Sequence, residues 1–592
     1  MEPTKIVFDT CRYYLADNAK VLGSELHSKV LGFLRSRDIS SLSEVSQYFS
    51  PEYHGVKVLK VLLQIEALFK KCDLFSNKNC SEVAMQSFLE SEEICKETNE
   101  RLDHHYELPE YYFESKIVRR MSSIIEDALG PIDTFLNQLP DLVRVTNGAT
   151  ATHPRSESGG AARLKRSMYA TERSHKYLHA LAKFWGYTIR FRKIHHNRVE
   201  LVPKNWKTHR TIACEPEGNS ALQLAFDTFC KRVLRRRLRV NLADQSRNQR
   251  LAMEASMHGD MCTVDLKAAS DRLSLNVVHL LFPREWVDFF LDTRSPNWKN
   301  SNGELIPYAK LSSMGNGYTF TIETLVFAAL CRALGSKEYS VYGDDIIIET
   351  ELYDDLVLML SYLGFEVNKE KSHVDRPLGM PTFVELGSSE TGYARNLEDP
   401  SRFTRGDLSE SRARYPFTEF DSTDERVPRD LVCWLSNVIE GCLVSDRSNS
   451  DSSSGCYRES CGVHALAGHL ITPLYIRSLR TRRDWVLLIN NMMSFGTPGG
   501  QVWSLAVSIV KQLNLPLGPP VLDTSACVFI DTHTCYRKGL IRTFPNRKIG
   551  PFQPCYKALV PSAKIVRWFD SRALFLWFCH RKNMPYESSR YS

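Results

Sequence analysis

Three aspartates are the residues of this sequence best suited to chemistry. Asp344 and Asp345 are adjacent, set between Ser340-Val341-Tyr342-Gly343 and Ile346-Ile347-Ile348, and Asp265 ends the run Met261-Cys262-Thr263-Val264. Two β-branched runs joined by Gly343-Asp344 predict a hairpin with a two-residue type II′ turn, Gly at its first central position. The turn carries both carboxylates to the tip of an apolar ribbon. There they repel unless a cation lies between them, and hard divalent ions favour such oxygens. A solvated acidic turn uses the same residue types, so the reading depends on what else the chain supplies. Asp265 supplies part of it, because an Asp at the end of a buried strand is costly unless something cationic meets it.

Cations come next. Lys204, Lys207 and Arg210 recur every third residue within Val202–Pro216, where proline and threonine discourage a helix. Such spacing lines a path for a triphosphate. Upstream, Arg163, Lys165, Arg166 and further Lys and Arg to Arg198 interleave with Tyr169, Tyr177, Phe184, Trp185 and Phe191, a mixture that suits a phosphate-tracking, base-stacking surface as well as an ordinary basic face. A helix from Ser220 to about Arg239 closes on Lys231, Arg232, Arg235, Arg236, Arg237 and Arg239. Cations at a helix end match its dipole; beside the preceding strip, Arg235 and Arg236 are also candidates for nucleic-acid contact.

Asp271 is expected to open a helix through Leu281, as a cap or as a polar group for a ribose hydroxyl. Leu311 to Gly317 reads as a flexible small-residue loop whose Ser313, Gly315 and Asn316 are candidate nucleotide contacts. It leads into a helix apolar on nearly every face. Lys371, beyond a short strand at 365–368, is a candidate general acid for a leaving pyrophosphate. Between Asp265 and Asp271 stand Leu, Lys, Ala, Ala and Ser, with no ring to exclude a 2′-hydroxyl. This favours ribonucleotides.

These residues need elements to hold them. The order strand, helix, helix, hairpin, helix, strand across 261–368 makes a small antiparallel sheet backed by two helices, with Asp265 and the Asp344 turn on neighbouring strands. Residues 1–145 read as mostly helical, and 374–455, rich in Arg, Asp, Glu and Ser, as an insertion ending in a Ser/Asp linker. At 592 residues several subdomains are expected. A net charge of +7 permits a nucleic-acid partner without requiring one. No apolar run reaches membrane-spanning length, the first residues lack a signal-peptide pattern, and sixteen cysteines include no Cys-x-x-Cys pair. These features point to a soluble intracellular protein. Cys456, Cys461, His464 and His469 loosely resemble a zinc spacing, but their gaps fit no standard finger.

Taken together, the three aspartates suit a pair of Mg²⁺ ions, with Mn²⁺ as a substitute, that activate a 3′-hydroxyl and neutralise pyrophosphate. The motifs Val202–Pro216, Asp244-Gln245 with Asn248-Gln249-Arg250, Thr263–Asp271, Ser312–Phe320, Val341–Ile347 and Tyr457–Gly462 occur in one order. In them the chain resembles the RNA-directed RNA polymerase of levi-type single-stranded RNA bacteriophages, the catalytic (beta) subunit of their replicase. The resemblance implies an α+β right-hand fold. Residues 1–145 would form an N-terminal helical region and outer fingers, 146–255 the fingers, 256–373 the palm, 456–480 a palm–thumb hairpin and 481–592 the thumb. It implies Asp265, Asp344 and Asp345 as catalytic metal ligands, and Cys461 and His464 within a hairpin that supports the primer end. The implied partners are an RNA template, NTPs, host elongation factors Tu and Ts and a ribosomal protein, with no membrane, in the cytoplasm of an infected bacterium. One departure stands out: some eighty residues separate Lys371 from the Arg458-Glu459-Ser460-Cys461-Gly462 hairpin, which better-known members join almost directly. A reverse transcriptase and a non-catalytic RNA-binding protein are the competing readings; the first lacks its aromatic gate after Asp265, the second leaves three aspartates unexplained.

Overall fold

The computed structural model describes residues 2–37, 54–75, 79–110, 112–145, 148–154, 168–186, 191–300, 302–374, 456–520, 523–531, 535, 537, 538, 540–546 and 550–556. Contacts divide the chain into one unit of Met1–Ser389 with Gly455–Ser592 and a second of Glu390–Ser454, which lies outside the described residues. Arg163, Lys165 and Arg166 also lie outside them.

The first half of the larger unit begins with helices α1 (Pro3–Asp17), α2 (Ser24–Ser36), α3 (Val56–Lys70), α4 (Cys80–Asp103) and α5 (Phe113–Leu129). The hairpin β1 (His196–Pro203) and β2 (His209–Cys214) follows, then α6 (Glu217–Arg237), α7 (Ser246–His258), β3 (Met261–Val264) and β4 (Leu266–Lys267). Next come α8 (Thr319–Ala333), β5 (Ser340–Tyr342), β6 (Asp345–Glu349), α9 (Tyr353–Tyr362) and β7 (Glu366–Val367). A second hairpin, β8 (Tyr457–Ser460) and β9 (Val463–Leu466), precedes α10 (Arg482–Phe495) and α11 (Gln501–Leu513). Among the described residues no helix is long and apolar enough to cross a membrane.

Two apolar cores organise these elements. Phe8, Phe33, Phe69 and Phe75 form one ring cluster that shares its core with Val486, Ile489 and Met492 of α10 and Val502 and Ile509 of α11. Residues 6–75 and 476–528 therefore share one core. The helical region expected over 1–145 divides between the cores: α1 to α3 join α10 and α11, whereas Ile117, Met121 and Ile125 of α5 join the larger core around α6 and α8.

The sheet that carries the aspartates has strand order β3-β6-β5, antiparallel throughout. Its period-two alternation sends Ile346 and Ile348 into the larger core and Ile347 toward Leu251, Ala252 and Ala255 of α7. Each fully buried isoleucine contributes about 2–3 kcal/mol by leaving water, so a one-residue slip that reversed the faces would be strongly opposed. Beside this sheet β4 pairs with β7, and the β8–β9 hairpin is tied across α7 by Cys456 N to Ser256 O, 3.0 Å.

One element differs from expectation. Asp271 lies in a single 3₁₀ turn, Ala269–Asp271, and the helix that follows starts only at Leu275, capped by the Ser274 hydroxyl. Ser274 can present its oxygen to Val277 N from extended backbone, and Asp271 is occupied elsewhere.

Candidate functional site

Tyr342 pairs with Asp345, so Gly343 and Asp344 form a two-residue turn. Gly343 has φ +64° and Asp344 is not left-handed, as a type II′ turn requires. Gly343 is also fixed by crowding, because a Cβ there would sit 2.2 Å from Cε2 of Phe320. The turn is anchored to α8 by Gly343 N donating to Thr324 Oγ1 at 3.1 Å, and Tyr342 packs edge-on against Phe320.

Asp265 follows the last residue of β3. Since Ile346 pairs with Val264, one further step along the ladder sets Asp265 level with Asp345. Its carboxylate accepts from Asn368 Nδ2 at 2.9 Å and from Lys371 Nζ at 3.2 Å to both oxygens. Its backbone N–H donates to Ser372 Oγ. The segment after β7 thus wraps Asp265.

The carboxylates feel one another. Burial pushes Asp345 up to about 7, with Asp344 and Asp265 adding to it and the Cys461 backbone N–H and thiol opposing. Burial likewise holds Asp265 above the ordinary range, against Lys371 and with Asp344. Beneath them the buried Glu323 is raised well above its ordinary value by burial, then by Asp344. Crowded, partly desolvated carboxylates are the donor chemistry of a hard divalent cation. In this arrangement the Lys371 ammonium takes the cation's place at Asp265. Among the described residues no three His, Cys, Asp or Glu side chains converge on one ligand point.

Of the predicted cations, Lys204 is coupled to this cleft and to Arg210. Lys204, exposed in the β1–β2 loop, is pulled below its ordinary value by partial desolvation and by the charges of Arg210 and Lys371, while Asp265 and Asp344 pull it up. Arg210 lies on β2 opposite Val202. Lys207 instead stands over the ring of Trp206, 5.2 Å away. Arg235 and Arg236 are exposed at the C-terminal end of α6.

The loop expected to be flexible is pinned. Ala213 N donates to Met314 O at 2.8 Å, and a Cβ on Gly315 would lie 2.7 Å from Ile212 Cγ2. Gly315 there serves close approach to β2. Ser313 and Asn316 are buried. The Asn316 amide donates to Glu215 Oε1 at 2.5 Å and its carbonyl accepts from Ser313 N. Asn316 is therefore already committed within the protein. Asp271 Oδ1 accepts from the buried Lys310 at 2.9 Å.

The sequence motifs include Asn248 and Cys461 but give Asn248 no task, and they single out none of Glu215, Lys310 and Glu323. Asn248 accepts from Ser340 Oγ at 2.6 Å and reaches Asp345 O and Ser460 Oγ, bracing the sheet against the β8–β9 hairpin. Cys461 turns left-handed, φ +48°, at that hairpin's tip on Asp345. Of the residues with a zinc-like spacing, His464 is buried, bonds Tyr457 OH at 2.5 Å and is held below its ordinary value by burial. A charged or amide residue inside an apolar run was the available signal for Glu323 and Lys310.

A profile of the family described as "RNA replicase, beta-chain" matches residues 13–379 and 427–568. The RNA-directed RNA polymerase subunit beta of Enterobacteria phage SP is 31% identical over 455 residues, covering 74% of this chain and 64% of that protein. The protein of the same name from Escherichia virus Qbeta is 35% identical over 474 residues, covering 77% and 65%. The chain thus spans a little under two thirds of the length of these curated relatives. The solved RNA-dependent RNA polymerase of a human picorbirnavirus aligns at 14% identity with a TM-score of 0.32, over 61% of this chain and 68% of that one. On the extent of the profile match, this chain belongs to the RNA replicase beta-chain family.

Proposed function

We propose that the chain is an RNA-directed RNA polymerase that copies a single-stranded RNA phage genome. In this reading the β3-β6-β5 sheet is the palm, the β1–β2 hairpin and its surroundings belong to the fingers, and α10 and α11 to the thumb. The observation that carries it is the register that sets Asp265 level with Asp345 beside the Asp344 turn.

The reaction joins a 3′-hydroxyl oxygen to the α-phosphorus of an NTP. The bond to the bridging oxygen breaks, the hydroxyl proton leaves, and pyrophosphate departs. Asp265, Asp344 and Asp345 would hold Mg²⁺, which when bound supplies charge neutralisation at both oxygens. Lys204 and Arg210 orient the triphosphate through its phosphate oxygens. Lys371 is raised above its ordinary value: burial pulls it down, but Asp265, Glu459 and Asp344 more than offset this. It becomes a useful proton donor to pyrophosphate only once it parts from Asp265. Asp271 accepts from a ribose hydroxyl. Arg163, Lys165, Arg166, Arg235 and Arg236 contribute to RNA affinity. The relatives' name, a beta subunit, supports assembly with other subunits; Tu, Ts and a ribosomal protein are the proposed set, in the infected cell's cytoplasm.

The test is incorporation of labelled rNTP against dNTP by the full chain on one RNA template with Mg²⁺. Template-dependent ribonucleotide addition is expected. A strong dNTP preference would make it a reverse transcriptase, and RNA binding without synthesis in the presence of the host proteins would remove the catalytic reading.

A further inference from the structure

Lys310 is fully buried, two residues before Ser312. Its ammonium lies 3.0 Å from Glu92 Oε1 of α4 and 2.9 Å from Asp271 Oδ1, and 3.8 Å over the Phe88 ring. Its backbone is clamped as well. Leu311 N donates to Leu273 O at 2.8 Å, and Arg294 Nη1 donates to Lys310 O at 2.5 Å. Glu92 is fixed in turn by Ala309 N on its other oxygen, 2.8 Å. From α4, Cys95 Sγ reaches Asp271 O at 3.6 Å and Asn99 Nδ2 reaches Ala309 O at 2.8 Å. Asp271 is therefore held from two sides by groups that cannot move independently.

Two carboxylates and one ammonium leave this trio one negative charge in excess. Burying such a trio gains little stability over apolar residues of the same volume, so stability alone is a weak reason for it. What the trio achieves is direction. One oxygen of the Asp271 carboxylate is fixed on Lys310 at 2.9 Å, which sets the plane of the other. Ser270, the preceding residue, bonds Glu323 beneath Asp344, which ties the same turn to the acidic cleft.

We propose that Lys310 is a positioning residue for sugar selection: gripped by Glu92, it aims the Asp271 carboxylate at a ribose hydroxyl of the incoming nucleotide. The proposal rests on the reading of Asp271 as the ribose contact and adds the device that orients it. A site built to accept a hydroxyl rejects the deoxy analogue because a buried acceptor is left unpaired. An acceptor free to swing loses that penalty.

The experiment is single-nucleotide addition by the full chain on a primed RNA template, with ATP and 2′-deoxy-ATP. It compares wild type, Lys310→Met, Lys310→Met with Glu92→Gln, and Asp271→Ala. The double variant removes the second carboxylate together with the ammonium and guards against misfolding of the single one. The ratio of kcat/KM for ATP over deoxy-ATP is expected to fall about tenfold in the Lys310 variants. The loss should lie in KM for ATP, with deoxy-ATP nearly unchanged. If both nucleotides weaken alike in the double variant while Asp271→Ala shifts the ratio, Lys310 is merely structural and the proposal is overturned. If Asp271→Ala leaves the ratio unchanged, the ribose role of Asp271 fails, and this proposal with it.

Discussion

The Lys371 ammonium sits astride the Asp265 carboxylate, 3.2 Å from each oxygen. A divalent ion at Asp265 and Lys371 in this pose compete for the same lone pairs. Replacing Lys371 by Met should therefore lower the Mg²⁺ concentration for half-maximal nucleotide addition. It should also lower kcat by about 10²-fold if the lysine is the proton donor. A Mg²⁺ titration of initial rates reads both. No change in either would leave Lys371 a surface cation.

Asp344→Asn removes one charge from the turn and keeps its shape. Synthesis should fall by about 10³-fold, while RNA affinity by filter binding stays within a few-fold. An undiminished rate would take Asp344 out of the mechanism.

Gly343→Ala meets both a left-handed φ and the Phe320 ring. A loss of about 2–4 kcal/mol in urea unfolding is expected. Adding Phe320→Ala should relieve the clash but not the dihedral strain, so the pair should be clearly less than additive. Strictly additive losses would mean that the ring is not the obstacle.

The aspartate tip was legible because it is local: two β-branched runs and a Gly-Asp turn state a hairpin within nine residues. Even the turn type followed from the glycine. What was illegible is long-range. Asn248 meets Ser340 and Asp345, and Glu215 meets Asn316, across about a hundred residues. A single polar letter does not announce such a partner. Gly315 misled for a physical reason: glycine marks either freedom or close approach, and here β2 lies against it. Helix periodicity across 1–145 carries no information about which helix covers which apolar face.

Burial holds His464 below its ordinary value, so it folds neutral. The unfolded chain binds a proton near pH 6.5 that the native state refuses. Its contribution is therefore complete above pH 6.5 and is lost as pH falls toward the folded value. His464→Gln should flatten the drop in Tm between pH 6.5 and 5 relative to wild type. An identical slope in both proteins would assign the titration to other groups.

Arg210→Ala should raise KM for NTP about tenfold with a smaller change in kcat. Lys204 should then lose a repelling neighbour, and its pKa, followed by chemical modification against pH, should rise. Unchanged nucleotide kinetics would argue against a phosphate contact.

The shared core of α1 to α3 with α10 and α11 sets a schedule for the nascent chain. About 400 residues separate Phe75 from Ile476. At a translation rate of roughly 5–20 residues per second the first helices wait on the order of 20–80 s for the surface that covers them. During that interval Phe8, Phe33 and Phe69 offer a sticky face to whatever stands near the ribosome exit, and a holding partner that occupies it would raise the yield of folded chain without touching the mature protein.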